Sequence, residues 1–111
     1  MPHCIIEHSA NIAADDLLTS VFTGALNSNL FEPDGGDIKV RTLAYDNCTV
    51  GGKSANFVHV MLRILSGRDH EQKQHLSQSV ISELKQLALP ACSITLEVVD
   101  IDRESYAKVL F

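Results

Sequence analysis

Residues 57–65, FVHVMLRIL, alternate without a break between two kinds of position. Val58, Val60, Leu62 and Ile64 are all aliphatic, whereas Phe57, His59, Met61 and Arg63 mix aromatic, basic and apolar groups. A period of two puts these sets on opposite faces of a β-strand. The aliphatic face requires a cover of helices, and the mixed face suits a subunit contact or a cavity. The run is too short to cross a bilayer and carries His59 and Arg63 within it.

The rest of the chain supplies the cover. HCIIEH (3–8) is β-prone, and residues 11–28 carry Leu17, Leu18, Val21, Phe22, Ala25 and Leu26 at helical spacing. EPDGGD (32–37) is a turn, IKVRTLAY (38–45) a strand, and DNCTVGGKSAN (46–56) a loop. After FVHVMLRIL, SGRD turns the chain into a second helix, near 69–87. Asp69 and Gln72 are spaced as a capping box there, and Leu76, Val80, Leu84 and Leu87 form the apolar stripe. Pro90 closes that segment, and SITLEVVD (93–100) is a strand with Ile94, Leu96 and Val98 facing inward. The tail, DRESYAKVLF, ends in an apolar group of the kind that packs on a neighbour.

The order is β-α-β followed by β-α-β. A right-handed crossover makes the strands of each unit parallel. Two units form one four-stranded sheet with both helices on one face, an α/β (α+β) architecture in one domain over 1–111. A shift of 56 residues places His3 on His59, Cys4-Ile5-Ile6 on Val60-Met61-Leu62, and Ile38-Lys39-Val40 on Ile94-Thr95-Leu96. That match points to an internal duplication of about 1–45 in 57–101. The uncovered sheet face points to an oligomer.

Charge and cysteine usage narrow the function. The net charge is −5 with acidic and basic residues interleaved, so neither nucleic acid nor a membrane surface is an expected partner. Cys4, Cys48 and Cys92 are odd in number and far apart, which suits reduced thiols in a cytoplasmic protein. The start shows no basic region followed by a long apolar stretch, as a signal peptide would. His3, His8, His59, His70 and His75 form no metal-ligand spacing, and Gly51-Gly52 suits a flexible loop better than a phosphate cradle.

Four residues are candidates for chemistry. Pro2 either opens a strand, where proline is tolerated at the first or an edge position, or becomes a free secondary amine once Met1 is removed. Lys39 and Arg41, two apart on a strand, point the same way; they are a solvated cationic face or an anion site. Arg68 precedes the second helix, where helix-terminal N–H groups also favour anions, unless it only pairs with Asp69 or Glu71.

The stretch ILSGRDHEQKQHLSQSVISELKQL (64–87) resembles the strand end, turn and helix of the tautomerase superfamily, in which 4-oxalocrotonate tautomerase carries an ILEGR-type turn followed by DEQK. MPHCIIE, GGDIKVR and NFVHVMLRILSGR together resemble its longer, duplicated branch, the 5-carboxymethyl-2-hydroxymuconate isomerases. The resemblance implies a cofactor-free keto–enol or double-bond isomerisation of a small carboxylate, in a homotrimer with active sites near subunit interfaces. It implies Pro2 as the catalytic base, and Arg68, Lys39 and Arg41 as substrate-binding residues. Lys39 stands where the family commonly has arginine, and lysine binds a carboxylate as a point charge rather than a fork. At the 56-residue shift Pro2 falls on Val58 and Arg68 on Ile12, so the base comes from the first half and the arginine from the second. Hydration or dehalogenation of an unsaturated acid on the same scaffold, or a non-catalytic oligomeric binding protein, are the other functions such a chain could serve.

Overall fold

The computed structural model describes residues 1–111. Its elements are β1 (His3–Ser9), α1 (Ala14–Asn27), β2 (Lys39–Tyr45), β3 (Asn56–Leu65), α2 (His70–Lys85) and β4 (Cys92–Ile101). They form one four-stranded sheet in the order β2-β1-β3-β4. β1 pairs in parallel with β2 and β3 with β4, while the central β1–β3 pair is antiparallel. This is the expected pair of β-α-β units, fused side by side. β1 is an interior strand, so Pro2 does not mark an edge.

The predicted alternation of β3 is realised in full. Val58, Val60, Leu62 and Ile64 are buried, together with Cys4 and Ile6 of β1. They meet Leu17, Val21 and Ala25 of α1 and Leu76, Val80 and Leu84 of α2 in one core. Ile94, Leu96 and Val98 of β4 and Ile38 and Val40 beside β1 pack against its margins. No helix is long and apolar enough to cross a membrane.

Helix starts differ in how they are specified. At α2, the Asp69 side chain accepts from the Gln72 N–H at 2.8 Å, and the Gln72 side chain accepts from the Asp69 N–H at 3.0 Å. This is the reciprocal cap that the spacing predicts. α1 has no side-chain cap and begins at Ala14 instead of residue 11. Residues 10–12 are used for a turn, in which the Ile12 N–H donates to the Ser9 carbonyl at 3.1 Å, and Ile12 drops into the core.

The pairing repeats along the chain. His3 lies beside Lys39, and His59 beside Thr95, in each case 56 residues further on. In the antiparallel pair Ile5 faces Met61, its own counterpart at that shift. A local two-fold axis therefore passes between Ile5 and Met61.

The helices touch where Gly24 leaves no side chain. A Cβ there would lie 2.6 Å from Val80 Cα, and the Ser79 hydroxyl donates to the Gly24 carbonyl at 2.6 Å. Alanine raises helix propensity by about 1 kcal/mol over glycine, but forcing two backbones apart costs about 1–3 kcal/mol. Gly24→Ala should therefore lower stability in denaturant titration despite its better propensity. The thiols give a second expectation. Burial pushes Cys4 up to about 12, so native-state alkylation at pH 8 should modify Cys48 and Cys92 and reach Cys4 only after unfolding.

Candidate active site

The chain start lies at one end of the sheet, next to the start of β2. The Lys39 N–H donates to the Pro2 carbonyl at 3.1 Å, and Pro2 itself is buried. The Lys39 ammonium lies 3.1 Å from the Met1 sulfur. The Met1 amino group pairs with the Asp37 carboxylate at 3.3 Å, both side chains being about nine-tenths covered. A carboxylate and a lysine thus flank the beginning of the chain from the same strand entrance. Asp37 was read only as part of the EPDGGD turn, because its meeting with the chain start depends on the β1–β2 register.

Arg68 reaches this end from β3. His3 is paired with Arg63, so the chain leaving β3 passes Pro2 before turning at Ser66-Gly67. Gly67 has a φ of 123°, a region that side chains rarely adopt; this explains why the arginine follows a glycine. Arg68 does not pair with Asp69 or Glu71. Its guanidinium donates to the Leu30 carbonyl at 2.5 Å, tying the turn to the chain that leaves α1. α1 stops just before, where Asn29 takes a left-handed φ of 60°, as its NSN sequence suits. From the tail, the Arg103 side chain donates to the Ser66 carbonyl at 2.9 Å and braces the same turn. Pro2 and Lys39 therefore meet at one end of the sheet, and the turn that carries Arg68 leaves β3 at that same end, with its guanidinium engaged by Leu30.

Arg41 follows Lys39 on the open face, as the two-residue spacing predicts. Its guanidinium donates to His3 Nδ1 at 3.2 Å. Because an arginine can only donate, His3 Nδ1 accepts and the ring proton is on Nε2, which faces the Tyr106 hydroxyl at 2.9 Å. Burial lowers the His3 pKa, and Arg41, Lys39, Arg63 and the amino terminus reinforce the shift. His3 is thus held neutral, in a strongly positive local field.

The largest cavity, about 530 Å³, lies at the other end of the sheet among Ser9, Asn11, Tyr45, Asp46, Cys48 and Asn56. None of Pro2, Lys39, Arg41 or Arg68 lines it. Its lining holds one carboxylate and no cation, a poor match to a carboxylate ligand. Size alone does not make it the reactive site.

Chemically, the Pro2 end combines an amide or amine nitrogen shielded from water with cations able to hold carboxylates and oxyanions. That combination suits proton transfer next to a stabilised negative charge.

Known proteins agree with this fold. A structure of a 5-carboxymethyl-2-hydroxymuconate delta-isomerase is 14% identical, covering 100% of this chain and 89% of that one with a TM-score of 0.74. A 5-carboxymethyl-2-hydroxymuconate isomerase from Deinococcus radiodurans R1 is 20% identical, with 97% and 88% coverage and a TM-score of 0.75. A fused wild-type 4-OT symmetric trimer is 16% identical, with 94% and 91% coverage and a TM-score of 0.69. No curated protein matches the chain in sequence. The family model for 5-carboxymethyl-2-hydroxymuconate isomerase matches residues 2–109. The chain shares the fold of these structures, belongs to the 5-carboxymethyl-2-hydroxymuconate isomerase family and is an isomerase.

Proposed function

We propose that this isomerase acts without a cofactor on an unsaturated 2-hydroxy (enol) polycarboxylate such as 5-carboxymethyl-2-hydroxymuconate, with Pro2 as general acid and base. The supporting observation is the meeting of Pro2 and Lys39 at the end of the sheet where the turn that carries Arg68 leaves β3. Met1 is removed in the working enzyme, which exposes Pro2 as a secondary amine; an amide nitrogen has no usable basicity. The neutral amine takes the 2-hydroxy proton, the electrons shift through the diene, and the ammonium returns the proton to C-5. The products are a 2-oxo acid and the regenerated amine. Arg68 and Lys39, with Arg41 behind them, hold the carboxylates and the oxygen that gains charge.

An α-amine ordinarily titrates near 7.7–8.0. Dry walls and the cations of Lys39 and Arg68 favour its neutral form, whereas Asp37 favours the ammonium. The observed Asp37 contact is to the Met1 amine; the same carboxylate reaching the Pro2 amine once Met1 is gone would support a second reading, hydration or dehalogenation with Pro2 as the acid, which requires an amine titrating well above 7. The fused 4-OT relative is a symmetric trimer, and the open sheet face of this chain supports the same assembly here. The setting we propose is one internally duplicated domain, trimeric and cytoplasmic, in the breakdown of aromatic compounds.

The first test is the intact mass of the protein purified from its native host. The reading requires loss of Met1, and retention would leave a non-catalytic binding protein. Pro2→Ala keeps only a primary amine and should lower kcat by about 10²-fold, within the range of general acid–base catalysis, in an ultraviolet assay of dienol loss. Unchanged turnover would remove Pro2 from the mechanism. Asp37→Asn should move the acid limb of the kcat/KM profile to lower pH, since the amine then holds its proton less tightly. A limb that stays in place would show that Asp37 does not act on the amine.

A further inference from the structure

The open sheet face is electrically divided. Within the strands its carboxylates are Glu7 and Glu97, and both are already engaged. Glu7 accepts from the Tyr45 hydroxyl at 2.6 Å, and Glu97 lies 2.6 Å from His59 Nε2. At the other end Arg41 and Arg63 have no carboxylate within ion-pair distance. Arg41 spends one N–H on His3, and Arg63 makes only a 3.9 Å contact to the Met61 sulfur. These two ends are counterparts across the axis through Ile5 and Met61. At the 56-residue shift His3 becomes His59, Arg41 becomes Glu97, and Glu7 becomes Arg63. The acidic cluster is satisfied from within the chain; its cationic counterpart is not.

Between Arg41 and Arg63 lies a cavity of about 420 Å³, floored by Ile5 and Met61 and walled by His3 and Tyr106. Its polar groups are all donors or can become so. His3 gives its Nε2 proton to Tyr106, which leaves the phenol hydrogen free to point into the cavity. This open depression offers two guanidiniums and a hydroxyl around an apolar floor, and it repels cations.

We propose that this cavity is a second ligand site, adjoining the Pro2 centre and sharing Arg41 with it, which takes a small carboxylate with an apolar body. The carboxylate lies between Arg41 and Arg63 and accepts from Tyr106, while its hydrocarbon part covers Ile5 and Met61. Burial lowers the His3 pKa first, and the charges of Arg41, Lys39, Arg63 and the amino terminus add to it; a bound anion would oppose only that second, electrostatic part. If this face turns to a neighbouring copy, two guanidiniums without a counter-charge would be costly to bury; a bound carboxylate removes that cost and stabilises the assembly by mass action. The inference stands on the cluster's geometry and does not depend on Pro2 being the base.

The test is calorimetric titration of the full-length, assembled protein with benzoate, and with benzamide as its uncharged shape match, at fixed ionic strength. Benzoate should bind and benzamide should not. Arg63→Met should weaken benzoate by about 10- to 100-fold, the worth of charge-assisted hydrogen bonds, while turnover is retained. Tyr106→Phe should weaken it a few-fold and serves if Arg63→Met does not assemble. In NMR spectra of the unaltered protein, benzoate should shift the His3 ring signals and leave exposed His70 and His75 in place. Equal binding of benzamide, benzoate affinity unchanged in Arg63→Met or in Tyr106→Phe, or an unmoved His3 signal overturns the proposal. Loss of benzoate binding in Arg68→Ala instead of Arg63→Met would assign the anion to the Pro2 end and also overturn it.

Discussion

The antiparallel pairing of β1 with β3, centred on Ile5 and Met61, is the constraint on which the rest of the molecule depends. It aligns Cys4 and Ile6 with Leu62 and Val60, so the buried positions of both strands fall on one face. Burying a side chain of this size is worth about 1.5–3 kcal/mol, and the strand residues together rival the net stability of a whole domain. A slip of one residue would turn all of them toward solvent. The register is therefore locked by the core, and everything on the opposite face inherits its position. His3 falls between Lys39 and Arg63, and Ile5 between Arg41 and Met61, because the aliphatic residues beneath allow nothing else. The same pairing carries Arg68 past Pro2.

Electrostatics then sets this face apart from the chain's overall charge. A protein with a net charge of −5 would be expected to repel carboxylates, and at long range it does so weakly because salt screens beyond about 10 Å. Short-range placement outweighs it. The cations gather at the end where the chain begins, and the strand carboxylates of that face lie at the far end with Tyr45 and His59 as partners. A carboxylate entering near Lys39 meets local positive potential despite the total. Asp37 is the exception, and it sits where its effect is confined to the amino terminus.

Periodicity and caps were readable from the amino-acid sequence; contacts across the sheet were not. The aliphatic phase of 57–65, the stripes of both helices, and the Asp69–Gln72 cap each involve residues within one turn or one strand, where spacing determines direction. The start of α1 was misplaced because no capping side chain marks it and Ile12 looks helical by its apolar character. Its burial comes from a turn instead. Lys39 and Arg41 could be placed on one face, but the neighbours of that face could not. Asp37, Arg63 and Tyr106 meet the chain start or one another only after the register is fixed and the tail has folded back, with Tyr106 more than a hundred residues from His3. No local pattern signals such a meeting. Arg68 was legible through its place just before the second helix and through the likeness of its GR turn to the tautomerase turn, both of which are local in sequence.

The local two-fold axis also brings out how the side chains at the two ends of the sheet differ. Backbone pairing is the same at both ends, so any difference must come from side chains. The counterpart of Pro2 is Val58, fully buried, and the counterpart of Arg68 is Ile12, also in the core. Two positions proposed for chemistry at one end are buried aliphatic residues at the other, although Pro2 is itself buried. Restoring a cation at Ile12 would bury a charge with no partner, at a cost well above what one helix contact returns. The aliphatic end thus supplies stability, and the cationic end is free to keep groups that stability alone would not select. A repeated backbone can divide its tasks in this way only if its halves share one core, because the apolar half must carry the polar one.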